Sequence, residues 1–510
     1  MKSIIVDGEN LKIAHVEPVV RKKVKISLGG NVKDRVDSAQ IMIKKAIDDK
    51  KVIYGVTTGF GALSDVFISG DQRKQLQKNI IMSHSAGVGD AFDEEVVSAI
   101  MLIRINSLAK GNSGVKFHTL KTLIEMLNKG IYPIIPEKGS VGASGDLAPL
   151  AHLALVLIGE GKAMHKGKLL PGRQAMSEAG IRLCELEAGE GLALINGTQV
   201  MTGIGALVVN DSIRLLKTAD IAAGISLEVL LGSNIELNEN IHRVRPHSGQ
   251  NISAQNLRRI TENSEIISSH KDCSRIQDAY SIRCCPQVHG ASIDTLSYVR
   301  NIIETEMNSA TDNPLIFSDT GEIFNNGGNF HGQPIALAMD FLTIALSEIA
   351  NISERRIERL VNPLLSGLPA FLTKNPGLNS GLMIAQYTAA SLVSENKILS
   401  HPASVDSIPT SANKEDHVSM GSIAARKCKQ VLFNVENVIA IELLCATQAL
   451  DLFTNLEAGI GTMEAYRVIR EHIPHMEEDR IISQDIETMC KLVRNGKILS
   501  SVENKIGVLR

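Results

Sequence analysis

Apolar residues recur every three to four positions along most of this chain, a spacing that predicts amphipathic and buried helices. The periodicity begins near Asn31 and rarely stops. Ile335–Val361 keeps it throughout, carries Glu354, Arg355, Glu358 and Arg359 near its end, and is bracketed by Pro334 and Pro363. Ser419–Phe453 is a second long stretch of the same kind. At ~1.5 Å per residue such helices reach ~40 Å or more, and several of them imply an extended bundle. Residues 3–28 read differently, as short β-like pieces in which Val/Ile runs are broken by Gly8 and Gly29-Gly30. Polar, glycine- and proline-rich stretches at 54–65, 139–146, 312–334 and 402–417 separate the helices and read as loops able to carry a site. The expected division is an N-terminal, mostly helical domain over 1–200 and a long-helix bundle over 201–510.

Gly191–Asn210 contains no charged residue and is long enough to span a bilayer. Its Asn196, Thr198, Gln199, Thr202 and four glycines make a buried core segment the better reading. The 510 residues suffice for a large core, with 44% hydrophobic residues and a net charge of −3. That balance offers no basic excess for nucleic acid or an anionic membrane. Seven cysteines, an odd number without paired metal-ligand spacing, fit a reduced cytoplasmic chain. The N-terminal MKSIIVDGENLK has charges where a signal peptide would have its apolar region. None of the fourteen histidines stands in HExxH or a comparable ligand spacing, so no metal site is expected.

The densest chemistry lies in Gly139-Ser140-Val141-Gly142-Ala143-Ser144-Gly145-Asp146. Three glycines let this backbone bend tightly and approach itself. In a tight enough turn the Gly145 nitrogen can attack the Ala143 carbonyl carbon. Closure of the five-membered ring with loss of two waters leaves Ser144 as an exocyclic methylene, a strong electrophile. A phosphate loop is a poor alternative, because the Lys-Ser/Thr ending is absent. A helix start, with Asp146 as N-cap and Pro149 in the first turn, explains the end of the run but not Gly142–Gly145.

Four other groupings stand out. Tyr54 precedes a loop with glycines at 55, 59 and 61. It reads either as a surface loop or as a base delivered on a lid. Gln277, Tyr280 and Arg283 share a face if their segment is helical. An arginine there suits a substrate carboxylate, and a structural salt bridge is the alternative. Phe330 and His331 sit between glycines in GGNFHG, where an aromatic can stack on a flat substrate or plug a bundle end. Glu415, Asp416 and His417 form a charge cluster that can equally cap the following helix.

GSVGASGDLAPLAH resembles the signature of the aromatic amino-acid ammonia-lyases. YGVTTGFG, SHSAGVGD, GLALINGTQ, IQDAYSIRC, SATDNPLIF, GGNFHGQP, SERRIERL, SHPASVDSIPTSAN and EDHVSM follow in the family's order. The likeness covers almost the whole chain. It implies a mainly α, fumarase/aspartase-like long helical bundle with a small α+β N-terminal part. It also implies a homotetramer with shared active sites and a 4-methylidene-imidazol-5-one made from Ala143, Ser144 and Gly145. By matching motif, Tyr54 would remove the β-proton and Arg283 would hold the carboxylate. Asn196 and Gln277 would support the electrophile and the bound amino acid, with Tyr280 and Phe330 lining the site. His84 and Glu415 would contact an imidazole, which points to deamination of L-histidine to trans-urocanate. Phenylalanine or tyrosine lyases, a 2,3-aminomutase and a non-catalytic homologue are the competing readings. Tyr54 as base requires a lowered pKa, from nearby positive charge or a helix dipole.

Overall fold

The computed structural model describes residues 3–271 and 276–510. The chain is mainly α-helical. Its longest helices are Gln199–Val229, Cys285–Met307, Gln333–Val361 and Gly421–Leu450. In Gln333–Val361 the buried positions Ile335, Met339, Leu342, Leu346, Ile349, Ser353, Arg356 and Leu360 keep the predicted three-to-four spacing. Pro334 lies inside the first turn of this helix rather than before it, where its missing N–H costs no intrahelical bond. Gln333–Val361 and Gly421–Leu450 are also long and apolar enough to cross a membrane, but 67% and 83% of their most apolar windows are buried within the protein.

The β-like reading of 3–28 holds only at its ends. Ile4–Val6 pairs in parallel with Ile26–Leu28, and between them Ile13–Val20 is a helix. Its buried residues are Ile13, Val16, Val19 and Val20, a helical spacing that the Val/Ile composition disguised. The other strands are equally short. Val88–Ala91 pairs with Pro136–Lys138, Leu315–Phe317 with Glu322–Phe324, and Ile131–Pro133, Lys162–His165 and Lys168–Pro171 form one antiparallel sheet.

Two compact units divide the chain, and neither is continuous in sequence. One comprises the described residues up to Asn210, with Arg300–Asp340 and Pro402–Arg426; the other comprises Asp211–Val299, Phe341–His401 and Lys427–Arg510. The uncharged Gly191–Asn210 is buried almost throughout, and the Asn196 and Gln199 amide groups and the Thr202 hydroxyl donate to partners inside the first unit. Deep in the second unit, Arg356 and Glu442 pair fully buried, and the Glu442 carboxylate also accepts from Ser226 and Ser353. Hydrogen bonds to every available oxygen are what make such a burial tolerable.

Candidate active site

The 139–146 turn is shaped by main chain. Gly145 has φ +69°, and a Cβ there would lie 2.1 Å from the Gly197 carbonyl oxygen, a contact no side chain can make. Gly142, at φ +70°, sits equally close to Ser419, whose hydroxyl donates to the Gly142 carbonyl at 3.0 Å. The Gly197 N–H donates to the Ser144 carbonyl, and Ser140 Oγ donates to the Gly145 carbonyl. Against these tied carbonyls, the Ala143 carbonyl and the Gly145 N–H have no partner among the described residues. Those are the two groups that ring closure joins. Ala143, Gly145 and Asp146 are buried, and Ser144 is half-buried, so its side chain is the accessible one.

Asp146 does something its position did not suggest. It occupies the N-cap of Leu147–Leu157, yet its side chain makes no capping bond to that helix. Its Oδ2 accepts instead from Val200 and Met201 N–H, at 3.0 and 2.9 Å, in the first turn of Gln199–Val229. The carboxylate thus caps a helix more than fifty residues away and locks the turn to it. Burial pushes its pKa up to about 6, against the opposing pull of those donors.

Residues 410–421 join this turn to the Tyr54 loop. At one end Met420 N–H donates to the Val141 carbonyl. At the other, Ser411 Oγ accepts from Ala62 N–H and Lys414 donates to Ser64 Oγ. Ser411, Ala412 and Asn413 all have left-handed backbone, φ 51°, 53° and 65°. Strain of this kind persists only where surrounding contacts impose it. Thr410 donates to the Glu415 carboxylate at 2.6 Å.

Tyr54, His84 and Glu415 converge here. The Tyr54 hydroxyl accepts from Gly61 N–H at 2.8 Å. His84 stands against the Phe60 ring, centroids 5.1 Å apart, with Nδ1 3.1 Å from Ser83 Oγ. Burial lowers the His84 pKa, and a hydrogen bond to the Ile80 backbone, then the Glu415 charge, partly offset it. The Tyr54 phenol goes the opposite way from the sequence expectation. Burial raises its pKa, the Gly61 donor lowers it, and Glu415 raises it again. The charge that acts on this phenol is negative.

Asn196 is buried, and its amide donates to Asp312 and to the Asn313 carbonyl, both at 3.1 Å. Its Oδ1 is buried without a partner among the described residues. The Asn196 carbonyl accepts from Arg104, which also donates to Gln199 and the Ala193 carbonyl. Burial brings the Arg104 pKa down to about 10, with the Asp312 charge resisting. Phe330 is half-buried, and the neighbouring His331 ring stacks on His417 at 5.6 Å.

The second unit carries the remaining candidates. Only Tyr280–Arg283 is helical, so Gln277 precedes the helix rather than sharing its face. The chain nonetheless folds Gln277 back, and its Oε1 accepts from Arg283 at 3.2 Å. The Arg283 guanidinium lies 4.6 Å from the Tyr280 ring centroid, and Tyr280 is 70% exposed. A buried polar network supports this turn. Arg356 donates to the Ser281 carbonyl and adjoins Cys285 and His289, and His289 Nδ1 lies 2.8 Å from Asp220. Burial opposes the charged imidazole, but Cys285 and Asp220 outweigh it and raise the His289 pKa to about 9. Asp220, Cys285 and His289 come close enough to share a cation. The Asp220 oxygens are already taken by Ser253, Asn256 and His289, and the Arg356 charge alongside disfavours one.

Residues 11–471 match the family model described as aromatic amino acid lyase. The chain belongs to the aromatic amino acid lyase family. It is 54% identical over 506 residues, 99% of each chain, to a histidine ammonia-lyase of Alkaliphilus oremlandii. Among solved structures it resembles histidine ammonia-lyase from Trypanosoma cruzi, with 44% identity, TM-score 0.92 and coverage of 99% and 95%. It also resembles tyrosine aminomutase from Streptomyces globisporus, with 39% identity, TM-score 0.95 and full coverage of both chains.

For an aromatic amino acid lyase, the polar groups that brace the site are as telling as those that face it. Arg104, Asp312 and Arg356 were missed from sequence. Two of them had a visible signal. Arg104 is a lone charge in the apolar run VVSAIMLIRINSLA, and Arg356 falls in the apolar register of its helix. A charge at a core position needs a buried partner.

Proposed function

We propose that this lyase eliminates ammonia from L-histidine to give trans-urocanate. The Cα–N and Cβ–H bonds break, a Cα=Cβ double bond forms, the β-proton passes to the Tyr54 oxygen, and the amine departs as ammonia. What carries the substrate assignment is the full-length likeness to histidine ammonia-lyases, with His84 against Phe60 and the Glu415 segment bonded to Ala62 on the Tyr54 loop. A site with a histidine and a carboxylate offers an imidazole ring a donor and an acceptor. It would leave both polar groups unpaired against a phenyl ring, a penalty of ~1–3 kcal/mol each. Arg283 is assigned to the carboxylate, with Gln277 and Tyr280 beside it. Asn196, whose Oδ1 has no partner among the described residues, is assigned to the electrophile and the bound amino acid, and Phe330 to the wall of the site.

The Ala143-Ser144-Gly145 turn fits the 4-methylidene-imidazol-5-one on three counts: a Gly145 conformation that only glycine fits, an Ala143 carbonyl and Gly145 N–H unpaired among the described residues, and an accessible Ser144. When formed, the group supplies an electrophile that makes the amine a better leaving group. The exposed Tyr280 and the anionic surroundings of Tyr54 support a homotetramer in which loops of several copies complete each site. Its cationic groups and the substrate ammonium would then supply the positive charge that lowers the Tyr54 pKa. A cytoplasmic location is consistent with six described cysteines, all free.

Incubation with L-histidine, followed by urocanate absorbance, tests the assignment. The expected result is strong preference over L-tyrosine and L-phenylalanine, by about 10⁴ in kcat/KM. The likeness to a tyrosine aminomutase keeps one alternative in play. Comparable turnover of tyrosine, or a β-amino acid product, would replace the histidine reading with that one.

A further inference from the structure

Within the second unit, the Arg283 turn borders a cavity of about 470 Å³ lined by Ser233, Glu236, His270, Gln277, Asp278 and Arg283 among others. Two opposite charges share it without satisfying each other. Glu236 Oε1 and Arg283 Nε are both buried atoms with no hydrogen-bond partner among the described residues. The remaining groups around Glu236 have defined partners. Asp278 Oδ2 accepts from Ser233 N–H at 2.7 Å. Both His270 nitrogens meet backbone carbonyls, and His242 Nε2 meets the Glu236 carbonyl at 3.0 Å. Arg258 is engaged by the Leu237 carbonyl and Glu239, and Lys271 is exposed.

We infer that Glu236 is a positioning residue for Arg283: ionised, it competes for the guanidinium, and protonated, it leaves Arg283 to the substrate carboxylate, so that binding takes up a proton at Glu236. The inference rests on Arg283 being the carboxylate clamp. Three features of the site favour it. Glu236 has one oxygen free to receive a proton at no cost in hydrogen bonds. Asp278 already places a negative charge beside it. A substrate carboxylate arriving at Arg283 cancels the cation that favours ionised Glu236 and adds a further negative charge. Burial, then Asp278, push the Glu236 pKa up to about 7 against the pull of Arg283, so the competition is set near neutrality. The sign follows: above about pH 7 Glu236 is ionised and carboxylate binding weakens.

The test is the inhibition constant of 3-(imidazol-4-yl)propanoate, which keeps the ring and carboxylate but has no amine to lose, measured across neutral pH. For the wild type it should rise about five- to tenfold between pH 6 and 8 relative to Glu236→Gln, which should hold the low-pH affinity throughout. Ionisation of the inhibitor's own imidazole is common to both proteins and cancels in the ratio. Parallel profiles for the two proteins would overturn the inference. If Glu236→Gln does not fold, calorimetry of the wild type in buffers of different ionisation enthalpy decides. Proton uptake should accompany imidazolylpropanoate but not L-histidinol, which lacks the carboxylate, and equal uptake for both would overturn it. Arg283→Lys separates the two levels. Unchanged affinity for imidazolylpropanoate in that variant sinks the clamp itself, whereas weakened affinity alongside parallel Glu236 profiles sinks only the coupling.

Discussion

The 139–146 turn and the Tyr54–Glu415 region meet through residues 410–421, yet they are held by different means. In the turn the groups held in place belong to the main chain: left-handed glycines, carbonyls that accept from the Gly197 N–H and from the Ser140 and Ser419 hydroxyls, and two helix N–H groups that donate to the Asp146 carboxylate. The Tyr54 region is held by side chains, through Ser411, Lys414, Thr410 and the Phe60–His84 contact. Main-chain control fixes a geometry within which one bond can form. Side-chain control sets which ring is accepted and where the proton goes, and it can be altered without dismantling the turn.

The largest effect should therefore come from the turn. Gly145→Ala forces a Cβ onto the Gly197 carbonyl, and Ser144→Ala removes the hydroxyl that ring closure expels. Both should lower turnover by ~10³-fold or more. Intact mass should show the wild type two waters lighter than its sequence and both variants at full weight. A full-weight wild type that is active would end the comparison.

Tyr54→Phe alters only the side-chain region. Turnover should fall by ~10²–10⁴, with the two-water mass deficit retained and substrate affinity little changed. Near-normal turnover would move the base elsewhere, to Tyr280 or Glu415. Arg283→Lys keeps the charge and loses the planar fork, so KM for L-histidine should rise about tenfold or more while the mass is again unaltered.

The smallest effect is on stability. A carboxyl whose folded pKa lies above its unfolded value binds its proton more tightly when folded. Stability from that binding is present below about pH 4 and is lost as pH rises through about 6. Urea unfolding of wild type relative to Asp146→Asn should thus show a loss of roughly 2–3 kcal/mol between about pH 4 and 6. A pH-independent difference would mean that the helix donors cancel burial at Asp146, and a difference of the opposite slope that they outweigh it.

Much of this was legible in the sequence. The helices ending at Val361 and Leu450 follow from apolar periodicity, which is local and repeats over many turns. The self-cyclising chemistry at Ala143-Ser144-Gly145 follows from residue types in immediate succession. Short segments were harder. Ile13–Val20 hid in β-rich composition, because eight residues give too few turns for the spacing to outweigh propensity.

What only the tertiary structure decided is where charge and hydrogen bonds go across long separations in the chain. Asp146 caps Gln199–Val229 instead of its own helix, and Asn196 donates to Asp312. The Tyr54 phenol is buried, and Glu415, three hundred and sixty-one residues later, adds a negative charge, so its pKa rises where the sequence called for a fall. Glu236 and Arg283 come to line one cavity from separate segments. Periodicity and motif order are properties of neighbours along the chain and survive in the sequence. Desolvation and Coulomb interaction depend on distance and burial in three dimensions, which only the packed fold sets.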